Sequence, residues 1–180
     1  MLKKISWKED TILSIKLKDD LYTLAQMRRN HLMEFFDIAQ EKPEWSRVDL
    51  TNVPVIFCVY VAESKIKSLF NEVLTDNVAN PNKNPIKKRM LSAIIEPNGK
   101  FGASLVELDE ACESVSAKII KYDLNKDIDI EIIRNHELTG MIGSPEKLRA
   151  RLVRYFECGI NWDDAKNFLF QGIQPPSPTK

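Results

Sequence analysis

The sequence predicts an α+β domain: an N-terminal antiparallel β-sheet, built as a meander and open or partly closed into a barrel, covered by helices, with two more helices at the C-terminal end. Three observations predict it. Residues 13–38 contain three short runs in which apolar side chains recur at every second position, the period of a strand with one buried face. Residues 53–62, VPVIFCVYVA, form a run almost free of polar side chains. Ser144-Pro145-Glu146 then opens a stretch whose apolar residues recur at helical spacing.

Ile5 and Trp7 precede the first strand and are placed to extend it or to plug one end of the sheet. Leu13, Ile15 and Leu17 alternate with Ser14, Lys16 and Lys18, and Asp19-Asp20 interrupts the pattern. Aspartate tolerates left-handed backbone angles and bonds its own main chain, so the pair marks a tight hairpin turn. Leu21, Thr23, Ala25 and Met27 resume the alternation, Arg28-Arg29-Asn30 breaks it again, and residues 31–38 supply a third strand with Leu32, Phe35 and Phe36. The polar stretch that follows is a loop, with Trp45 as a cover for the core because large aromatic surface is usually buried. Residues 53–62 are expected to be a central strand buried on both faces, with Pro54 near its start where a missing N–H is tolerated. Ile66, Leu69, Phe70, Val73 and Leu74 predict an amphipathic helix over 63–74.

Residues 75–85 are rich in Asn and Pro and are expected to form a mobile loop. Asn98-Gly99 between two apolar runs predicts a hairpin of 90–95 with 101–108. Residues 109–122 fit a helix or a strand. Residues 127–134, with Ile128, Ile130 and Ile132, favour a strand with one acidic face. Ser144 caps a helix, Pro145 occupies its first turn, and Gly159 takes the left-handed position at its end. Asn161 is expected to cap the last helix. Residues 1–172 form one domain, and 173–180 are a disordered Pro-rich tail.

The bulk chemistry excludes several classes. Formal net charge is zero, and non-specific nucleic-acid binding generally needs a basic excess for phosphate contacts. Cys58, Cys112 and Cys158 are odd in number, far apart and without a CxxC, which predicts free thiols in a reducing compartment. No apolar segment follows the basic N-terminus and no run approaches the ~20 apolar residues of a membrane helix, so a cytoplasmic protein is expected.

No P-loop, GxGxxG, GxSxG or HExxH is present, and neither Gly99-Lys100-Phe101-Gly102 nor Gly140-Met141-Ile142-Gly143 is long enough to cradle phosphate. The two histidines, His31 and His136, stand near Glu34 and Glu137, and a hydrolase or nuclease would use such a pair as base and acid. A local role at a sheet edge or in a loop is the plainer reading of both. Cys58 sits in the most apolar run, where desolvation keeps a thiol protonated and inert. Asp127, Asp129 and Glu131 would stand in a row on a strand but lack a calcium loop, and a solvated face accounts for them. No metal and no cofactor is expected. Charge is polarised, however: residues 105–137 hold nine acids against four bases, a net of −5 in a neutral chain. Basic residues gather instead at 83–89 and 147–154.

The order WKEDTILSIKLKDDLYTLAQM, HLMEFFDI, VPVIFCVYVA is similar to the immunity proteins of bacterial polymorphic-toxin and contact-dependent inhibition systems, nearest the group catalogued as immunity protein family 26. Glu9-Asp10 before the first strand, Asp19-Asp20-Leu21-Tyr22 at the hairpin and Phe35-Phe36-Asp37-Ile38 on the third strand carry the likeness, with Asp20 where that outline has a glycine. The likeness covers about the first third of the chain. It implies a cytoplasmic protein without enzymatic activity that binds the C-terminal toxin domain of a delivered effector, often a nuclease, and blocks it. For such a partner the acidic segment supplies the candidate contacts: Glu107, Asp109, Glu110, Glu113, Asp123, Asp127, Asp129 and Glu131, placed to meet a basic cleft. Two other readings remain: the histidine- and carboxylate-dependent hydrolase or nuclease, and a nucleic-acid reader using Arg28, Arg29 and Lys87-Lys88-Arg89.

Overall fold

In the computed structural model, which describes residues 6–179, the alternating runs form the strands they predict: β1 (Ile12–Lys18), β2 (Leu21–Met27) and β3 (Leu32–Gln40), an antiparallel meander. Ile5 and Lys180 lie outside the described residues. After the short β4 (Val48–Asp49) the chain forms β5 (Val55–Tyr60), α1 (Glu63–Ile66) and β6 (Phe70–Leu74). The resulting sheet has the order β5-β3-β2-β1-β6 and is open, so the fold is α+β with an unclosed five-stranded antiparallel sheet.

Two expectations fail here. The helix over 63–74 is only a turn of α1 followed by a 3-10 turn, and its second half is β6. The outer edge of β1 needs main-chain partners, and β6 supplies them while a helix would leave that row open. Residues 55–60 are not central but an edge strand. They are apolar on both faces because both faces of the whole sheet are covered.

One face packs against α3 (Pro145–Cys158): Leu13, Ile15, Ala25, Met33, Phe35 and Phe57 meet Leu148 and Leu152, with Ile66 and Leu69 from the turns before β6. As expected, the Ser144 hydroxyl accepts the Lys147 N–H, Pro145 opens the helix and Gly159 ends it at φ 72°. On the other face, Ile12, Leu24 and Phe36 lie under Leu50, Ala79 and Trp45, whose indole N–H donates to Ser14 Oγ at 3.0 Å. Ala79 belongs to β7 (Ala79–Asn80), which pairs in parallel with β4 inside the loop expected to be mobile.

The second lobe is the hairpin of β8 (Arg89–Ile95) and β9 (Phe101–Glu107) with β10 (Lys118–Lys121) on its outer side. Its core of Leu91, Ala103, Leu105, Trp162 and Phe170 is closed by α2 (Ile130–Asn135) and α4 (Ala165–Leu169). A strand over 127–134 is thus overturned. The Asp129 carboxylate accepts the Asn125 N–H and the Lys121 ammonium, which closes a turn, and Ile130 and Ile133 then enter the core at helical spacing. The last helix starts after Asp164 and not at Asn161, whose side chain is engaged elsewhere.

The segment expected as a tail runs on from Ile173, which is buried. Arg134 donates to Gln174 O, and the Thr179 N–H donates to Cys158 O at 3.1 Å. No helix among the described residues is long and apolar enough to cross a membrane.

Candidate functional site

Between the two lobes lies a cleft of about 1240 Å³. One wall is the β5 edge with Glu34 and the loop at Asn82 and Asn84. The other is the start of β8 and the end of α2, with Arg89, Arg134 and His136.

A buried polar seam builds the first wall. Gln26, Glu34 and Cys58 are cross-strand neighbours on β2, β3 and β5. Glu34 Oε2 accepts Arg28 at 2.5 Å and the Asn82 amide at 3.0 Å. Gln26 Oε1 accepts the Asn82 N–H at 2.6 Å, its amide donates to Asn82 O and to Asp10, and Arg28 donates to Asn84 O at 2.9 Å. These bonds fasten the 75–85 loop to the sheet. Arg28 and Glu34 are almost wholly buried, so each needs the other.

A second ionic joint ties the lobes together. Arg151 stands on the buried stripe of α3, with its guanidinium 4.0 Å from the centre of the Phe57 ring. It donates to Glu137 Oε1 and to Asn161 Oδ1, each at 2.6 Å, and the Asn161 amide donates to Ile56 O on the β5 edge. Burial raises the Glu137 carboxyl, but the Arg151 guanidinium, the Lys166 ammonium and His136 together outweigh it and leave the group below the usual carboxylate range. Lys166, also buried, lies over the Trp162 ring and reaches Arg134 O at 3.4 Å. Burial lowers its pKa.

Main-chain directions decide what else faces the cleft. Val61 N–H donates to His31 O, which makes 61 and 31 a hydrogen-bonded pair of the β5–β3 ladder. The groups of Cys58 and Tyr60 therefore point away from β3, because direction alternates along a strand. Tyr60 O accepts the Ile142 N–H and Ala62 N–H donates to Ile142 O, so residue 142 is a one-residue parallel strand on this edge. On the facing wall Leu91 does the same with the neighbourhood of Leu138. Residues 137–142 thus stitch the two sheet edges together at one end. Beyond the stitch the edges part. Among the described residues, the outward N–H and C=O of Cys58, the N–H of Tyr60 and the main chain of Arg89 have no partner.

The acidic candidates do not assemble in this cleft. Glu107 and Glu131 reach its rim, held by Arg89 and Arg134, both at 3.5 Å. Glu110 pairs with Lys88 and Asp123 with Lys100. Asp129 is 6% exposed, and its bond from Lys121, then that from the Asn125 N–H, holds its carboxyl below the usual range. Asp109 is lowered by the Glu113 N–H and the Ser116 hydroxyl. Glu113 and Asp127 are exposed on separate loops. Five of the eight thus hold a cation of their own chain.

The reactive candidates also part company. His31 pairs with Glu63 at 2.9 Å and packs against Trp7. His136 lines the cleft beside Glu137 and Glu131, with Nδ1 2.9 Å from Ile132 O at the end of α2. Cys58 also lines it, and burial pushes its thiol well above the ordinary value. No group of His, Cys, Asp and Glu able to hold a metal occurs among the described residues.

Sequence reasoning passed over Asn82 and Arg151, and gave Arg28 and Asn161 other roles. Two signals were there to be read: Glu34 lies within an apolar strand, and Arg151 falls on the Leu148–Leu152 side of its helix. Charges at positions the periodicity assigns to a core mark buried ion pairs.

A family model described as a domain of unknown function, DUF8309, matches residues 2–175. No curated protein and no solved structure matches the chain.

Proposed function

The chain belongs to the DUF8309 family, a domain of unknown function, and we propose from its own residues that it acts by binding another protein: it is a cytoplasmic immunity protein that neutralises the toxin domain of a contact-dependent inhibition effector, a nuclease by preference, without catalysing a reaction. The observation that carries this reading is the cleft. At about 1240 Å³ it exceeds the roughly 300–1,000 Å³ typical of small-molecule sites. Apart from the exposed Lys87, its charges are tied to partners in the same chain: Glu34 to Arg28, Glu137 to Arg151, Glu107 to Arg89, Glu131 to Arg134 and Lys88 to Glu110. Such walls offer shape and main chain more than free reactive groups. The likeness of the N-terminal strands to immunity proteins supplies the class of partner.

Neutral walls also change the expected salt response. Contact through an exposed acidic face would weaken steeply with salt, whereas docking in a charge-paired cleft weakens little. The test is co-expression with the toxic domain encoded beside this gene, followed by titration of the purified pair. A one-to-one complex that rescues growth supports the proposal. Growth arrest regardless of this chain, with no complex at micromolar concentration, refutes it.

One observation favours a second reading, a small hydrolase or nuclease: His136 shares the cleft with Glu131 and Glu137. Turnover of RNA, DNA or a phosphoester by the purified chain, abolished in His136→Ala, would establish it.

A further inference from the structure

We propose that the cleft takes an extended peptide segment of a protein partner, which adds as a strand to the β5 edge at Cys58. The inference rests on the protein-binding reading and specifies how that binding is made. Cys58 N–H and C=O are unpaired main-chain groups on a recessed edge that lines the cleft. Unpaired edge groups are the recognition element of strand addition, in which main-chain bonds supply affinity and flanking pockets supply specificity. The same edge already accepts a segment a few ångströms further on, where Ile142 receives and donates the bonds of a parallel strand. An incoming segment would lengthen that line.

Sheet edges are ordinarily protected by lysine, proline or a bulge. On β5, Pro54 precedes the strand, the register shift lies opposite Phe35 and Phe36, and Asn161 covers Ile56 O. None of these devices reaches Cys58. Its protection is its place inside the cleft, recessed between the two lobes. The second lobe presents the unpaired main chain of Arg89 from the opposite wall. A strand between them would be bonded on both sides, as residues 137–142 are now.

The test uses the full-length chain and a displayed library of random twelve-residue peptides. Selected peptides are resynthesised with single N-methyl groups, which delete one main-chain donor at a time. Strand addition predicts at least a tenfold loss of affinity at alternate positions and little loss between them. It also predicts that the amide of Cys58, fast to exchange in the free protein, slows at least tenfold when peptide is bound. A flat N-methyl profile, protection confined to other elements, or failure to select any peptide would overturn the proposal. The result is separable from the toxin reading: the alternating profile stands even where the neighbouring toxic domain is not bound, and a toxin complex that leaves the Cys58 amide fast refutes strand addition alone.

Discussion

Replacing Arg28 with methionine tests the frame that fixes the cleft wall. The Arg28 and Glu34 side chains are 8% and 4% exposed and lie 2.5 Å apart. Removing the cation leaves a buried carboxylate with the Asn82 amide as its remaining partner, and leaves Asn84 O without its donor. Breaking a buried pair in this way costs about 3–5 kcal/mol. For a chain of this length that lowers the melting temperature by roughly 6–20 °C. The double variant Arg28→Met/Glu34→Met removes both charges and regains most of the loss, since an apolar pair of similar volume avoids the desolvation penalty. Urea unfolding of the wild type, both single variants and the double variant at neutral pH closes the cycle. A loss below about 1 kcal/mol for Arg28→Met, or a double variant as unstable as the sum of the singles, would refute the claim that these groups depend on each other. The double variant also separates stability from shape: Asn82 and Asn84 lose their ionic anchor, so their amides should exchange faster even where global stability is regained.

Further outcomes follow from single sites. Gly159→Ala should cost on the order of 1–2 kcal/mol in urea unfolding, because φ is 72° and the new Cβ would clash with Thr179 Oγ1; it should also expose the C-terminal segment to carboxypeptidase, and an unchanged digestion rate would count against the docked tail. Asp129 has a folded pKa below its unfolded value, so its contribution is present above about pH 4 and is lost as pH falls through the folded pKa; Asp129→Asn should flatten the acid limb of stability against pH. Burial raises the Tyr60 hydroxyl and, together with Asp37, holds Tyr155 at about 12, so the unfolded chain ionises first and stability should fall as pH rises past about 10, less steeply in Tyr60→Phe. Iodoacetamide should label Cys58 more slowly at pH 8 than a free cysteine peptide does, and equal rates by peptide mapping would contradict the burial that raises its thiol.

Local physics made much of this fold legible. Asp19-Asp20, Asn98-Gly99 and Ser144-Pro145 act within a few residues of themselves, so the meander, the second hairpin and α3 could be read directly from the sequence. Residues 70–74 and 128–133 carry apolar side chains that satisfy both strand and helix periods. What decided them was distant: the vacant edge of β1 in one case, the Asp129 turn and the second core in the other. The site is less legible still. Its bonds join residues 48 apart (Glu34 and Asn82), 14 apart (Glu137 and Arg151) and 105 apart (Ile56 and Asn161). No local pattern announces such meetings. The acidic segment is also less charged in the fold than in the sequence, because Lys88, Arg89, Lys100, Lys121 and Arg134 fold back onto five of its carboxylates.

The packing of α3 has a consequence for the order in which a nascent chain acquires structure. All five strands of the large sheet are synthesised by residue 74, yet Leu148 and Leu152 complete the apolar layer on one of its faces. During translation that face stays wet until Leu152, 78 residues beyond the end of β6, has left the ribosome. A half-made chain therefore exposes a β-rich hydrophobic surface for several seconds at ordinary elongation rates of about 5–20 residues per second. Truncations ending before residue 158 should be taken up by chaperones or precipitate, while removal of residues from 174 onward should leave the sheet able to close.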